Sequence, residues 1–242
     1  MADNQVLRIE DDGAVRVLTL DRPEARNAFN GELYEAVRVA LGEAAADDSV
    51  TVCVLTGAGD IFSAGQDLKV LAGLKDDPAA ARYFDPFARA LAAFDKPLLA
   101  AVNGAAVGVG TTMLLHCDLV LVAETARFKL PFVALGLVPE AASSLLLPAV
   151  VGAQAAAFYL LTGEWMEADE AVARGLAWKA CAPERLLDET LDVARRIATA
   201  PLEAVRNTKR LLRAARSDAV TAAMDREVAH LDDIVRRFVA AP

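Results

Sequence analysis

Two stretches of this chain hold residue types that can do chemistry with backbone atoms alone. Ile61-Phe62-Ser63-Ala64-Gly65-Gln66-Asp67-Leu68 follows an apolar run at 50–56 and a Gly57-Ala58-Gly59-Asp60 turn, and it leads into helix-like sequence. Small residues and glycine at such a crossing leave peptide N–H groups uncovered, open to an anion or a polarised oxygen. A second crossing, Gly104-Ala105-Ala106-Val107-Gly108-Val109-Gly110, has the same character. If the two meet at one point, their N–H groups can form an oxyanion hole, which stabilises an oxygen that gains charge during reaction. Neither stretch is a G-x-x-x-x-G-K-[ST] loop and the second does not fit G-x-G-x-x-G, which disfavours a phosphate cradle. Taken singly, the first reads equally well as a turn into a helix, and the second has close helix–sheet packing as its alternative.

The elements around these crossings alternate strand and helix. Residues 5–10 and 15–20 alternate apolar and polar side chains about Asp11-Asp12-Gly13, a hairpin signature. Asn30 can cap a helix whose apolar positions Leu33, Ala36, Val37, Ala40 and Leu41 recur at helical spacing. Strands are predicted at 50–56, 98–102 and 119–122, with helices at 67–74, 77–94 and about 110–116. That alternation implies parallel strands joined by helical crossovers. Beyond Phe128 the strand signal fades, and helices are predicted near 140–148, 152–161, 168–174, 184–199, 201–214 and 218–239. The last carries Val228, Leu231, Ile234, Val235 and Phe238 on one stripe. The class is α/β with a helical C-terminal part, divided into a core at 1–195 and a helical assembly segment at 196–242.

The composition, 242 residues with 55% hydrophobic and 24% charged, supports one sizeable core. No apolar run is long enough to span a membrane, and neither a secretory leader nor a transit peptide is visible, so the cytoplasm is expected. A net charge of −9 argues against a nucleic-acid surface. Cys53, Cys117 and Cys181 are far apart, without a C-x-x-C pair or a histidine cluster, and read as buried thiols. His116 and His230 are single histidines with structural roles expected. Asp67 can cap the helix that begins beside it.

The chain resembles the crotonase, or enoyl-CoA hydratase/isomerase, superfamily. The residues that carry the resemblance are Leu20-Asp21-Arg22-Pro23 with Arg26-Asn27-Ala28, Phe62-Ser63-Ala64-Gly65-Gln66-Asp67-Leu68, Ala101-Val102-Asn103-Gly104 with Gly108, and Cys117-Asp118-Leu119. Pro131, Leu135-Gly136-Leu137 and Pro139 continue it in register. It implies a ClpP-like spiral of ββα units, C-terminal helices that build trimers or dimers of trimers, and an acyl-CoA ligand. Coenzyme A would enter as part of the substrate, with no other cofactor and no metal. It also implies that two backbone N–H groups hold the thioester carbonyl, and these fall on Ala64 and Val109. Arg26, Ala64, Gly65, Gln66, Asp67, Leu68, Gly108 and Phe132 would bind substrate. Arg22, Arg26, Lys69 and the Lys209-Arg210 pair are the cations that could meet the CoA phosphates, although solvated surface is the expected role of any one of them.

The resemblance departs from the hydratases at the acids. The two positions where similar hydratases carry glutamates are Thr112 and Phe132 here. Adding water across a double bond needs a carboxylate to activate the water and a proton for the α-carbon. Glu140 remains, and the run from Pro131 to Ser144 resembles that of peroxisomal-type Δ3,Δ2-enoyl-CoA isomerases, in which one glutamate is acid and base. Leu137, Val138, Leu145 and Phe132 nearby suggest apolar surroundings that would raise its pKa. Glu140 also reads as a first-turn acid of a helix opened by Pro139. The function implied is isomerisation of a 3-enoyl to a 2-enoyl thioester in fatty acid metabolism. The alternatives are a hydratase or another crotonase-type reaction, and a non-catalytic acyl-CoA-binding subunit.

Overall fold

The computed structural model describes residues 6–73 and 82–240. The hairpin forms as its alternation predicts: β1 (Leu7–Asp12) pairs antiparallel with β2 (Val15–Leu20), from Leu7 opposite Leu20 to Asp12 opposite Val15. Asn30 then caps α1 (Gly31–Ala46), its side-chain oxygen accepting from the Leu33 N–H at 2.9 Å. Leu33, Tyr34, Val37, Ala40, Leu41 and Ala44 face inward, the i, i+3, i+4 pattern of a helix laid on a core.

From here the chain winds as a spiral, each turn giving one strand to each of two sheets. β3 (Val52–Gly57) is followed by β4 (Ile61–Ser63) and α2 (Leu68–Gly73). Residues 74–81, in which the gap between the two expected helices falls, lie outside the described residues, and the chain resumes into α3 (Phe84–Ala93). The next turn is β5 (Leu98–Val102), β6 (Ala105–Val107) and the short α4 (Val109–Thr112), which continues as a 3-10 turn to His116. β7 (Leu119–Ala123) and β8 (Arg127–Lys129) follow. This is the ββα spiral that the sequence resemblance implies.

α5 (Ser143–Val151), α6 (Ala153–Thr162), β9 (Trp165–Glu167), α7 (Ala168–Arg174), β10 (Lys179–Cys181), α8 (Leu186–Ala198), α9 (Leu202–Ala214) and α10 (Ser217–Ala240) complete the chain. The larger sheet has the order β1-β2-β3-β5-β7-β10 and is parallel from β2 onward; the smaller has the order β4-β6-β8-β9. Strands β8, β9 and β10 stand where the sequence showed no clear strand signal. Each is three residues long, too short for alternation to register, and each is held by a neighbouring strand.

β5 is buried along its whole length, and Val52, Cys53, Val54 and Leu55 of β3 are equally enclosed. Strands covered on both faces read as continuous apolar runs, which is why these two were legible. α8 lies across β2, β3, β5 and β7. Phe29, Tyr34 and Phe87, with ring centroids 4.9–5.3 Å apart, join α1 to α3 beside the site. Cys53 and Cys181 are buried thiols and Cys117 is half-buried.

A pair of enclosed lysines carries further order. Lys96 is fully buried and its ammonium donates to the Ala44 and Asp47 carbonyls at 2.7 and 2.6 Å, closing the C-terminus of α1. Lys209 of α9 donates to the Lys96 carbonyl at 2.7 Å and pairs with Asp118 at 2.7 Å. Lys209 is therefore a buried tie between α9 and the sheet, unavailable to a CoA phosphate. Among the described residues no helix is long and apolar enough to cross a membrane.

Candidate active site

The two glycine-rich crossings meet. β4 and β6 are parallel neighbours, with Ser63 beside Ala106, so the segments that leave their ends lie together. Gly65 has φ +84, and a Cβ there would stand 2.4 Å from the Val107 carbonyl oxygen; one on Gly110 would stand 2.9 Å from that of Ser63. Backbone presses on backbone at both points, which admits only glycine.

Their N–H groups differ in what they already hold. The Ala64 N–H donates to the Arg26 carbonyl at 2.9 Å, the Gly65 N–H to Ser63 Oγ at 3.1 Å and the Asp67 N–H to the Phe29 carbonyl at 2.9 Å. The Gln66 N–H has no acceptor among the described residues. On the second crossing the Gly108 N–H is taken by the Lys129 carbonyl at 2.9 Å, whereas the Val109 N–H, in the first turn of α4, is free of any intrahelical acceptor. Ala64, expected as one of the two donors, is thus already committed, and the open N–H of the first crossing belongs to Gln66. The motif placed the hole in the right segment; which peptide points where depends on the partner strand.

Gln66 and Val109 both line a cavity of about 670 Å³. Ala64, Gly65, Leu68, Gly108, Phe132 and Glu140, all expected at the site, line it too, while Arg26 and Asp67 do not. The Arg26 residue contributes its carbonyl, with the backbone at φ +55. Asp67 accepts from the Lys69 N–H at 3.0 Å, as its expected cap role requires, and pairs with Arg22 at 3.4 Å. Arg210 pairs with Asp95 at 3.0 Å.

Glu140 sits in the wall of this cavity, 7% exposed. α5 begins at Ser143, three residues later than the sequence suggested, so Glu140 is in the turn before the helix and is not a first-turn acid. One carboxyl oxygen accepts from the Thr112 hydroxyl at 2.6 Å, and the other, Oε2, has no partner. Burial pushes the Glu140 pKa up to about 8; the Thr112 hydroxyl, which favours the charged form, opposes this, and the neighbouring Glu227 adds to it. Of the acids lining the cavity, Asp232 is exposed and Asp85 is half-buried and paired with Arg89 at 2.9 Å. Glu140 is the one buried carboxylate among the described lining residues.

The turn that carries Glu140 is unusual. Ala141 and Ala142 both have positive φ, 56 and 58, where L-residues other than glycine are strained. His116 Nε2 donates to the Ala141 carbonyl at 2.8 Å, and burial lowers the imidazole pKa to about 4, so the ring is neutral and structural. Glu227 of α10 binds the Ala142 and Ser144 N–H groups at 2.6 and 2.9 Å.

Two contributors were missed in the sequence. Tyr34 lines the cavity, 3% exposed, and its hydroxyl donates to Gln66 Oε1 at 2.7 Å; helical spacing shows it faces inward but not that a cavity is there. α10 supplies Val228, Leu231 and Val235 to the wall, so the apolar stripe read from the sequence faces this site and the site is not confined to residues 1–195. A buried carboxyl with a raised pKa in this cavity, with two open peptide N–H groups on another wall, has the parts for moving a proton beside a polarised carbonyl.

A family model described as Enoyl-CoA hydratase/isomerase matches residues 10–237. A 1,2-epoxyphenylacetyl-CoA isomerase from Escherichia coli K12 is 35% identical over 219 residues, 88% of this chain and 84% of that protein. A 2,3-dehydroadipyl-CoA hydratase from the same organism is 39% identical over 215 residues, 88% of this chain and 84% of that protein. The crystal structure of an enoyl-CoA hydratase/isomerase from Pseudoalteromonas atlantica T6c superposes with a TM-score of 0.88 at 39% identity, covering 94% of this chain and 90% of that one.

Proposed function

The chain belongs to the enoyl-CoA hydratase/isomerase family, and from that premise we propose that it is an enoyl-CoA isomerase moving a double bond from C3 to C2 of an acyl-CoA. The observation that carries this reading is Glu140, the single buried carboxylate among the described residues that line the cavity, with Oε2 unpartnered and Thr112 and Phe132 in place of two further acids.

In the reaction Glu140, ionised, takes the C2 proton of a 3-enoyl thioester. The electron pair passes through C2 into the thioester carbonyl, whose oxygen receives the N–H groups of Gln66 and Val109. The diene-olate then collapses, and the same carboxyl returns its proton to C4, so that no atom is gained or lost. A carboxyl with its pKa raised to about 8 is better matched to a carbon acid than an ordinary glutamate is. Tyr34, Phe132, Leu137 and Val138 would enclose the acyl chain.

Incubation with 3-hexenoyl-CoA and, separately, with crotonyl-CoA tests the reaction. We expect 2-hexenoyl-CoA from the first and little 3-hydroxybutyryl-CoA from the second; hydration alone would overturn the isomerase reading. The same reading includes a homotrimer or a dimer of trimers. It is supported by Leu211 and Leu212 of α9, which are 77% and 73% exposed in the single chain and need a cover.

A further inference from the structure

Glu227 is a buried acid that the reaction above does not use. It lies on α10, 6% exposed, and its two oxygens take the Ala142 and Ser144 N–H groups at 2.6 and 2.9 Å. They are the N–H of the α5 cap residue, Ala142, which makes no side-chain cap bond, and that of Ser144 in the first turn; the Ser143 N–H between them donates to the Glu140 carbonyl at 3.0 Å. A helix start without a local Ser, Thr, Asp or Asn cap leaves its donors orphaned. Here a carboxylate 85 residues away in sequence supplies the cap, and the positive end of the helix favours its charge.

The place of this cap matters more than its strength. Glu140 is two residues before Ala142, and the two alanines between Glu140 and α5 hold positive φ, which costs about 1–3 kcal/mol each unless something fixes them. His116 fixes the Ala141 carbonyl and Glu227 fixes the Ala142 N–H. Val228, Leu231 and Val235, the next residues along α10, line the acyl cavity itself. One stretch of helix therefore both closes the cavity and holds the turn that presents Glu140.

We propose that Glu227 is the positioning residue for Glu140, making the acid/base competent only when the C-terminal helix is docked over the acyl cavity. This rests on the isomerase reading for its reaction, but not for its geometry. Beyond holding the turn, the Glu227 charge acts on Glu140 directly, since a second negative charge nearby disfavours ionisation of the first. Among the described residues, the other titratable or charged side chains lining the cavity or packed on the turn are Tyr34, Arg82, Asp85, His116, Lys129 and Asp232, and Arg226 acts on Glu227 from α10 itself.

Three variants separate positioning from capping. In Glu227→Gln the charge is gone and one N–H loses its acceptor: the acid limb of kcat/KM against pH should move down by about 0.5 unit or more. Its kcat on 3-hexenoyl-CoA should fall about 10–100-fold with KM little changed, because misplacement of a reacting group acts on turnover. Glu227→Asp keeps the charge and shortens the reach, so the acid limb should stay while kcat falls. A substrate-free readout uses Glu140→Gln: the pH dependence of the unfolding free energy, compared with and without Glu140→Gln in both the wild-type and the Glu227→Gln backgrounds, reports the Glu140 pKa. A lowered Glu140 pKa in the Glu227→Gln background supports the proposal even if no isomerase activity is found. An unchanged pKa together with unchanged kcat in Glu227→Gln and Glu227→Asp overturns it, whatever the reaction is. If Glu227→Gln does not fold, Glu227→Asp decides: unchanged kcat overturns the proposal and a lowered kcat with the acid limb in place supports it.

Discussion

The behaviour of Glu140 with pH follows from its surroundings. As a general base it must be ionised, so kcat/KM should rise about tenfold per pH unit below about 8 and level off above it, which a pH–rate profile with 3-hexenoyl-CoA measures. Thr112 and Glu227 pull the pKa in opposite directions. Thr112→Val removes the donor that favours the carboxylate, so the acid limb should move to higher pH and the rate at pH 7 should fall. The same shift governs stability. An unfolded glutamate ionises near 4.5 and the buried one near 8, so between those values the folded state keeps a proton that the unfolded state has lost. Stability associated with Glu140 is full below 4.5 and is lost as pH rises towards 8, by at most about 1.4 kcal/mol per pH unit. Denaturant melts should therefore show Glu140→Gln gaining on the wild type as pH goes from 5 to 8. At this scale the sequence was informative about identity and poor about partners: the glycines and Glu140 were readable, whereas the choice of Gln66 over Ala64 is made by the Arg26 carbonyl on another segment.

At the scale of elements, long-range ties decide where the site's parts stand. Lys96 and Lys209 join α1, the loop before β5 and α9 through buried carbonyls. Replacing Lys96 with Met keeps the volume but orphans the Ala44 carbonyl at the end of α1, so the unfolding free energy should fall by about 2–3 kcal/mol, read from chemical denaturation. A lysine between Asp95 and Pro97 gives no sequence signal of burial, and the expectation that Lys209 is a surface cation failed for the same reason: charged residues are exposed unless a specific partner, here Asp118, lies across the fold. α1, α7 and α10 were legible because their apolar spacing or length is strong. The start of α5 was not, because its cap comes from Glu227, far along the chain.

For the molecule as a whole, parallel strands with helical crossovers were legible from the repeated strand-to-helix crossings, the spiral only through the family resemblance, and its closure by the C-terminal helices was not. Periodicity shows that α10 has an apolar stripe; only packing shows that Val228, Leu231 and Val235 of that stripe roof the cavity and that Leu211 and Leu212 of α9 are left outside. In light scattering after gel filtration the chain should elute as three copies or a multiple of three. A Leu211→Glu, Leu212→Glu double variant should shift it towards one copy, since two buried charges without partners cannot be accommodated at an apolar contact; an unshifted mass would place the interface elsewhere.

In the proposed reaction one carboxyl group, that of Glu140, makes both proton transfers. Turnover of 3-hexenoyl-CoA to 2-hexenoyl-CoA by the wild type and by Glu140→Gln, followed at pH 8 and with thermal melts to show that both are folded, tests this most directly. Loss of the general base should slow the reaction by about 10²–10⁴-fold. A folded Glu140→Gln protein that isomerises the substrate at the wild-type rate would contradict it.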